Sequence, residues 1–567
     1  MHTFDLIIAG GMVFDGTRAP RVRADVGITD GTVAAIGRLD HSDAARVLDA
    51  EGLNVAPGFV DLHTHYDAQV FWDPYCTLSG WHGITSVAIG NCGFGFAPVA
   101  ADAREDAMRS MTRVEAIPYD AMALGLPWDW ESFPEYLDSL DRTAKAVNVL
   151  PYFPVGPALV SVLGRDDAKA GRMPTDAEHA ELARLFADAL DAGACGWSAQ
   201  RLPPPPIGPA AVQRDWDGTP MPTDVMHDET CRVFASVLAE RNTGVAQLTL
   251  TTNDPKHDQA HYEELASISG RPVLFNVVQA FSDRPHVHRK SLQWLARCRE
   301  RGIPVYGQGV TSDAGFTFTF EEWNLFDDSD EWCEATTGST AERLAKLADP
   351  ARRAGLRDNL PMVATAPLET ITVLGPRTAT TEPYREMSIA QVAEMTGTHP
   401  VDALLDIAVA DELKTAFFVM PPQGDSPYLK EIVQDPYTVY GVSDGGAHTK
   451  FLTAGRYPTE TITEHVRTNE WISLEEAHWR LSALPAKLAG FTDRGTITVG
   501  APADIIVYDY ENLEIMPTEV VHDFPGGEWR RIQRAKGYRW VLVNGEVTIE
   551  DDRQTETHSG QLLRHGG

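Results

Sequence analysis

NVAPGFVDLHTHYDAQ, Asn54 to Gln69, decides how the rest of the chain is read. Its apolar first part, NVAPGFVDL, has the pattern of a buried strand, and in a strand residues i and i+2 project to one face. His63 and His65 therefore leave the strand end on the same side. Two neutral imidazoles so placed can grip a divalent metal, which polarises a carbonyl and lowers the pKa of bound water from ~15.7 toward ~7. A His-x-His alone reads equally well as two satisfied surface histidines, so partners elsewhere in the chain decide.

Downstream, apolar strand-like runs alternate with helical patterns, the signature of βα units. GITSVAIGN, AVNVLPYFPVG, GACGWSA, TGVAQLTL, RPVLFNVVQA, GIPVYGQGV and DPYTVYGVSDGG are the strand runs. Helices are expected over Pro174–Ala192, where Thr175 and Glu178 have capping-box spacing, over Ser291–Arg301, and after Ser473. Roughly eight such units predict an α/β fold, a (β/α)8 TIM-like barrel, with its active-site groups at the carboxyl ends of the strands. The barrel is assigned to residues 57–494, and His63, Cys92 and Asp444 all stand at strand ends.

Both termini read differently. Asp5–Ala56 alternates short β-rich runs with turns at Asp15-Gly16 and Asp30-Gly31, and GTITVGAPADIIVYDY and YRWVLVNGEVTIEDD repeat that texture with an Asn544-Gly545 hairpin. Residues 1–56 and 495–567 are expected to combine into one small β-sandwich domain. Two stretches, 101–134 and 316–360, interrupt the βα rhythm as insertions, read as lids over the barrel mouth or as surface packing. RLPPPPIGPA, 201–210, reads as a stiff loop.

The 567 residues carry 48 basic and 81 acidic side chains, a net charge of −33 that repels nucleic acid and anionic membranes. MHTFDLIIAGG has neither a basic n-region nor a sustained apolar core, so the default location is cytoplasmic. Six cysteines, spread over so long a chain, form no dense disulfide framework. Cys92 is the one whose surroundings invite chemistry.

The β-rich opening, GFVDLHTHYDAQVFWDP, NCGFGFAP at Asn91–Pro98, GVSDGGAH at Gly441–His448 and the ending RGTITVGAPADIIVYD together resemble the amidohydrolase superfamily, and within it the D-aminoacylase (N-acyl-D-amino-acid deacylase) branch. The resemblance implies metal binding by His63 and His65, a cysteine ligand at Cys92, and a catalytic, metal-ligating carboxylate at Asp444. Thiolate, imidazole and carboxylate are all good zinc ligands, and the aspartate can also take a proton from water. This sequence departs from the branch at the fifth and sixth strands, GVAQLTLTTND and PVLFNVVQA, which lack the histidines of a second metal position. Gln247, Thr249, Thr251, Asn276 and Gln279 stand nearby and are poorer ligands. One zinc ion per chain is therefore expected.

A deacylase must also hold a substrate carboxylate, and Lys450 and Arg456 follow Asp444 closely enough to be candidates, with His448 beside them. His286 and His288 on the sixth βα loop are further substrate-binding candidates, whereas His257 and His261 read as solvent-exposed. The leading function is metal-dependent hydrolysis of a linear amide, most plausibly an N-acyl-D-amino acid or related N-acyl compound. The alternatives are a cyclic amide or lactone hydrolase and a catalytically reduced barrel serving as a binding module. The expected partner is a small N-acyl molecule, with assembly into a homo-oligomer left open.

Overall fold

The strand that ends in the two histidines is β1, Phe59–Asp61, and it is buried together with everything from Leu62 to Val70. The computed structural model describes residues 2–202, 214–252, 254–312, 315–321, 325–327, 329–361, 366–420, 427–451 and 454–565. After β1 come β2 (Ile84–Ile89), β3 (Asn148–Pro154), β4 (Gly196–Arg201), β5 (Val245–Leu250), β6 (Val273–Val278), β7 (Val305–Gly309) and β8 (Thr438–Tyr440). These eight pair in sequence order, every ladder parallel.

Outer strands β1 and β8 meet just beyond their ends. Thr64 and Gly445 form a parallel bridge, the His65 N–H donates to the Gly445 carbonyl at 2.7 Å, and the Asp444 N–H donates to the His63 carbonyl at 3.2 Å. The barrel therefore closes at its carboxyl rim, through the residues singled out in the sequence. Side chains alternate along each strand: Leu150 and Tyr152 of β3 pack inside with Val60, Val245 and Leu274, while Val149 and Phe153 face the helical layer with Phe186 and Phe234. Helix Asp176–Ala192 begins with both capping-box bonds of Thr175 and Glu178 and ends on Gly193 at φ 111°.

The two ends of the chain share one nine-stranded sheet. Its joint is Asn54–Pro57, which pairs with Phe4–Val13 on one side and with Ile505–Tyr508 on the other. Ile505 and Val507 enter a core with Leu6, Val26, Trp540 and Leu542; Ile506 and Tyr508, on the opposite face, pack into the barrel's outer layer. That alternation fixes the sheet domain against the barrel immediately before β1.

Within 101–134 the chain forms helices Arg104–Glu115 and Tyr119–Gly125. Between β7 and β8 it builds a three-stranded sheet of Phe316–Phe318, Thr372–Gly375 and Ala416–Val419. The excursion read at 316–360 thus continues to Val419, because its own core of Phe318, Phe326, Trp332, Leu404 and Phe417 is completed by those later residues. Most of the proline-rich loop, from 203 to 210, lies outside the described residues. Among the described residues no helix is long and apolar enough to cross a membrane.

Candidate metal centre

Closure of the barrel brings four donors together. His63 and His65 are each 1% exposed, with ring centroids 5.6 Å apart. The backbone N–H of His63 donates to Asp61 Oδ1 at 3.0 Å, and its carbonyl accepts from Ser443 Oγ at 3.1 Å. Cys92 follows β2 in a turn where Gly90, Cys92 and Gly93 all have positive φ (78°, 57° and 78°). A side chain at Gly90 would place its Cβ 2.5 Å from the Tyr152 carbonyl, so glycine is required there. The turn is pinned by the Cys92 N–H, which donates to Gln247 Oε1 at 3.1 Å, and by the Gly93 N–H, which donates to Ser198 Oγ at 3.0 Å.

His63 Nε2 then lies 3.4 Å from Cys92 Sγ and 3.3 Å from Asp444 Oδ1, and His65 Nε2 lies 3.7 Å from the same carboxylate oxygen. Ligands ~2.0–2.3 Å from a tetrahedral zinc stand ~3.3–3.8 Å from one another. The spacing of His63, His65 and Cys92, with Asp444 against both imidazoles, suits ligation of a divalent cation. The electrostatics agree. Burial pushes the Cys92 thiol up, but the charges and hydrogen bonds of His63 and His65 outweigh it and bring the group to about 6. Burial likewise opposes ionisation of Asp444, and the hydrogen bond to His65 with the charges of both imidazoles holds it well below the usual carboxylate range. Without a metal the imidazoles' positive charge balances the thiolate and the carboxylate, since both rings are pushed above the ordinary histidine range by these neighbours; a divalent cation would take over that role, with the imidazoles giving up their protons to bind it.

The donors open on a cavity of about 270 Å³ lined also by Gln200, Asn276, Gln279, Ser312 and Phe316. On β5 and β6 the inward groups are amides and hydroxyls. Asn276 Nδ2 donates to Thr249 Oγ1 at 2.8 Å, and that hydroxyl lies 3.6 Å from Cys92 Sγ. These residues brace the cysteine turn and supply no imidazole.

Sequence reasoning missed Glu115. It is 5% exposed at the end of helix Arg104–Glu115, 3.7 Å from His65 Nε2 and 3.5 Å from His448 Nε2. Burial, opposed by the His65 charge, raises its carboxyl to about 8. The available signal was a carboxylate in the last turn, facing the helix dipole's negative end among apolar neighbours, a placement that needs a compensating partner.

The four substrate-binding candidates lie elsewhere. Lys450 Nζ pairs with Glu528 at 2.9 Å and sits over the Trp529 ring, and Arg456 pairs with Glu460 at 3.2 Å; neither lines the metal cavity. His286 is the exposed first residue of helix His286–Glu300. His288 is buried on the outer layer, its Nε2 2.9 Å from Glu431 Oε2. Positive φ at Asp444, Gly446 and His448 turns the chain so that His448 faces the cavity while Lys450 faces the C-terminal segment. His257 is partly exposed and bound to Asp228, but His261 is buried, contrary to its charged local sequence.

A parallel barrel whose carboxyl rim gathers imidazole, thiol and carboxylate donors defines a metal-dependent hydrolase. The description "Amidohydrolase family" matches residues 46–549, and the chain belongs to that family. Among curated relatives, an N-acyl-D-glutamate deacylase of Alcaligenes xylosoxydans xylosoxydans is 29% identical, covering 99% of this chain and 96% of its own length. A D-aminoacylase of the same organism is 27% identical over 99% and 97%. Among solved structures, a D-aminoacylase with a binuclear metal centre aligns with TM-score 0.69 at 21% identity, covering 99% of this chain and all of that one. An N-acyl-D-glutamate deacylase of Bordetella bronchiseptica, complexed with zinc and a phosphonate inhibitor, aligns with TM-score 0.67 at 24% identity over 99% of both chains. These structural likenesses establish the shared fold.

Proposed function

We propose that this chain is a zinc-dependent deacylase of N-acyl-D-amino acids, working with one ion held by His63, His65, Cys92 and Asp444. The observation that carries the reading is the gathering of His63, His65 and Cys92 within 4.8 Å of one another, with Asp444 against both imidazoles, at the closure of the barrel. The two deacylase relatives, aligned over almost the whole chain, support the substrate class. A divalent cation there supplies Lewis acidity and lowers the pKa of bound water from ~15.7 toward ~7.

The remaining work falls to the protein. Asp444, ionised at neutral pH, accepts the proton of the attacking water and passes it to the leaving nitrogen. Water's oxygen forms the new carbon–oxygen bond, the amide carbon–nitrogen bond breaks, and carboxylate and ammonium leave. Gln200, Asn276, Gln279 and Ser312 offer hydrogen bonds to the polar amino-acid half of the substrate. In this division of labour residues 57–494 perform the reaction and residues 1–56 with 495–567 support it. The amides and hydroxyls at Gln247, Thr249 and Asn276, where histidines of a second metal position would be expected, support a single ion.

Elemental analysis of purified protein, combined with a hydrolysis screen over N-acetyl-D- and N-acetyl-L-amino acids and cyclic amides, tests this reading. One zinc per chain and turnover of the D series are expected, with activity lost to a chelator and restored by zinc. Turnover confined to ring substrates, or hydrolysis that survives full metal removal, overturns it.

A further inference from the structure

A second and larger cavity, about 450 Å³, lies beside the metal pocket. Val114 lines both cavities. The cysteine turn also divides them: Cys92 faces the metal pocket, and the next three residues, Gly93, Phe94 and Gly95, face the second cavity. One wall is a stripe on the first inserted helix and its cap, Ala103, Ala107, Ser110, Met111 and Val114, at helical spacing. Facing it are Pro157 and Val160 of helix Val155–Leu163, with Met221 and Pro222.

The cations in its lining are already paired. Lys169 Nζ lies 2.5 Å from Asp215 and 2.9 Å from Asp217, and Arg165 lies 2.6 Å from Asp217 and 3.5 Å from Asp106. An entering anion would compete with four carboxylate contacts, whereas an uncharged apolar chain leaves every pair intact. The volume falls in the range of small-molecule sites, ~300–1,000 Å³.

We propose that this cavity is an acyl-chain site, which takes the apolar chain of a long-chain N-acyl substrate whose amide carbon sits at the metal pocket. The proposal rests on the deacylase reading above. An amide has two substituents that diverge from its carbonyl, and the smaller cavity, rich in amide and hydroxyl groups, suits the amino-acid half. The acyl half then departs past Val114 into the apolar space.

Ala107→Trp and Val160→Trp each fill the cavity from a different helix, without touching a donor of the metal centre. For the zinc-loaded enzyme, kcat/KM is measured on N-acetyl, N-octanoyl and N-dodecanoyl derivatives of one amino acid, and dodecanoate binding is measured by calorimetry. Wild type should prefer the long chains, and each variant should lower the dodecanoyl-to-acetyl ratio by ~10-fold or more and weaken dodecanoate comparably. Thermal unfolding identifies a variant that fails to fold, and the other then decides. If no N-acyl compound is hydrolysed but both variants weaken dodecanoate, the deacylase reading fails and the chain site stands. If acetyl derivatives are hydrolysed while ratio and dodecanoate affinity match wild type in the folded variants, the chain site is overturned.

Discussion

Replacing Asp444 with asparagine exchanges one carboxylate oxygen for an amide nitrogen and leaves the chain's path alone. The backbone N–H that closes the barrel onto the His63 carbonyl is untouched, and asparagine tolerates the φ of 49°. No cavity opens, but the metal-free protein loses the carboxylate's pairing with two buried imidazoles, so stability should fall by about 1–3 kcal/mol while the fold is kept. Chemistry should suffer far more. The carboxylate stands 3.3 and 3.7 Å from the two imidazoles, close enough to serve as ligand and proton acceptor at once. Loss of a positioned general base costs ~10²–10⁴-fold, which is ~3–5.5 kcal/mol of transition-state stabilisation. The assay is kcat/KM on an N-acetyl-D-amino acid at saturating zinc, with bound metal and Tm determined on the same sample. Wild-type kcat/KM in a folded Asp444→Asn protein would refute the assignment of this carboxylate to the reaction.

Three further outcomes follow from the geometry. Gly446 has φ 87°, and a Cβ there would lie 2.7 Å from the His65 carbonyl; Gly446→Ala should lose at least the ~1–2 kcal/mol of left-handed strain and retain zinc poorly on dialysis, and a variant that keeps both Tm and metal contradicts the closure argument. Lys450→Ala should leave KM for N-acyl-D-amino acids within about threefold, since the ammonium is committed to Glu528; a much larger rise in KM would return Lys450 to the substrate. Asp228 is pushed up by burial but held down to about 2 by Arg201, His261 and His257, so its stabilisation is present above its unfolded pKa near 3.8 and lost as pH falls through 2. Discounted for partial exposure, Asp228→Asn should cost about 1–2 kcal/mol at pH 7 and progressively less below pH 4, and an equal cost in urea titrations at both pH values would contradict this.

Much of the barrel was legible because its signals are local. The strand ahead of His63, the capped helix at Thr175 and the NCG and SDGG turns each declare themselves within a dozen residues. The candidate donors could be named because the motifs around them resemble the family's, and each stands within a few residues of a strand end. What escaped depends on direction and distance. Lys450 and Arg456 were chosen for charge and proximity to Asp444, but successive positive φ values re-aim the chain and acidic partners capture both side chains. Glu115 belongs to an insertion, and nothing in its local sequence shows which strand end it meets. The second insertion was cut short at 360 because its later helices, such as Pro400–Ala410, have the same amphipathic texture as barrel helices; only the pairing of Phe316–Phe318 with Ala416–Val419 reveals its extent.

The stitch between Thr64 and Gly445 has a consequence for biosynthesis. Three of the candidate donors, His63, His65 and Cys92, leave the ribosome early and Asp444 emerges only after hundreds more residues, so a nascent chain can present the imidazoles and the thiol long before the fourth candidate exists. On the proposed ligand set, the ion's full coordination waits for docking of the last barrel strand, which is the step that seats Asp444 beside the His63 carbonyl.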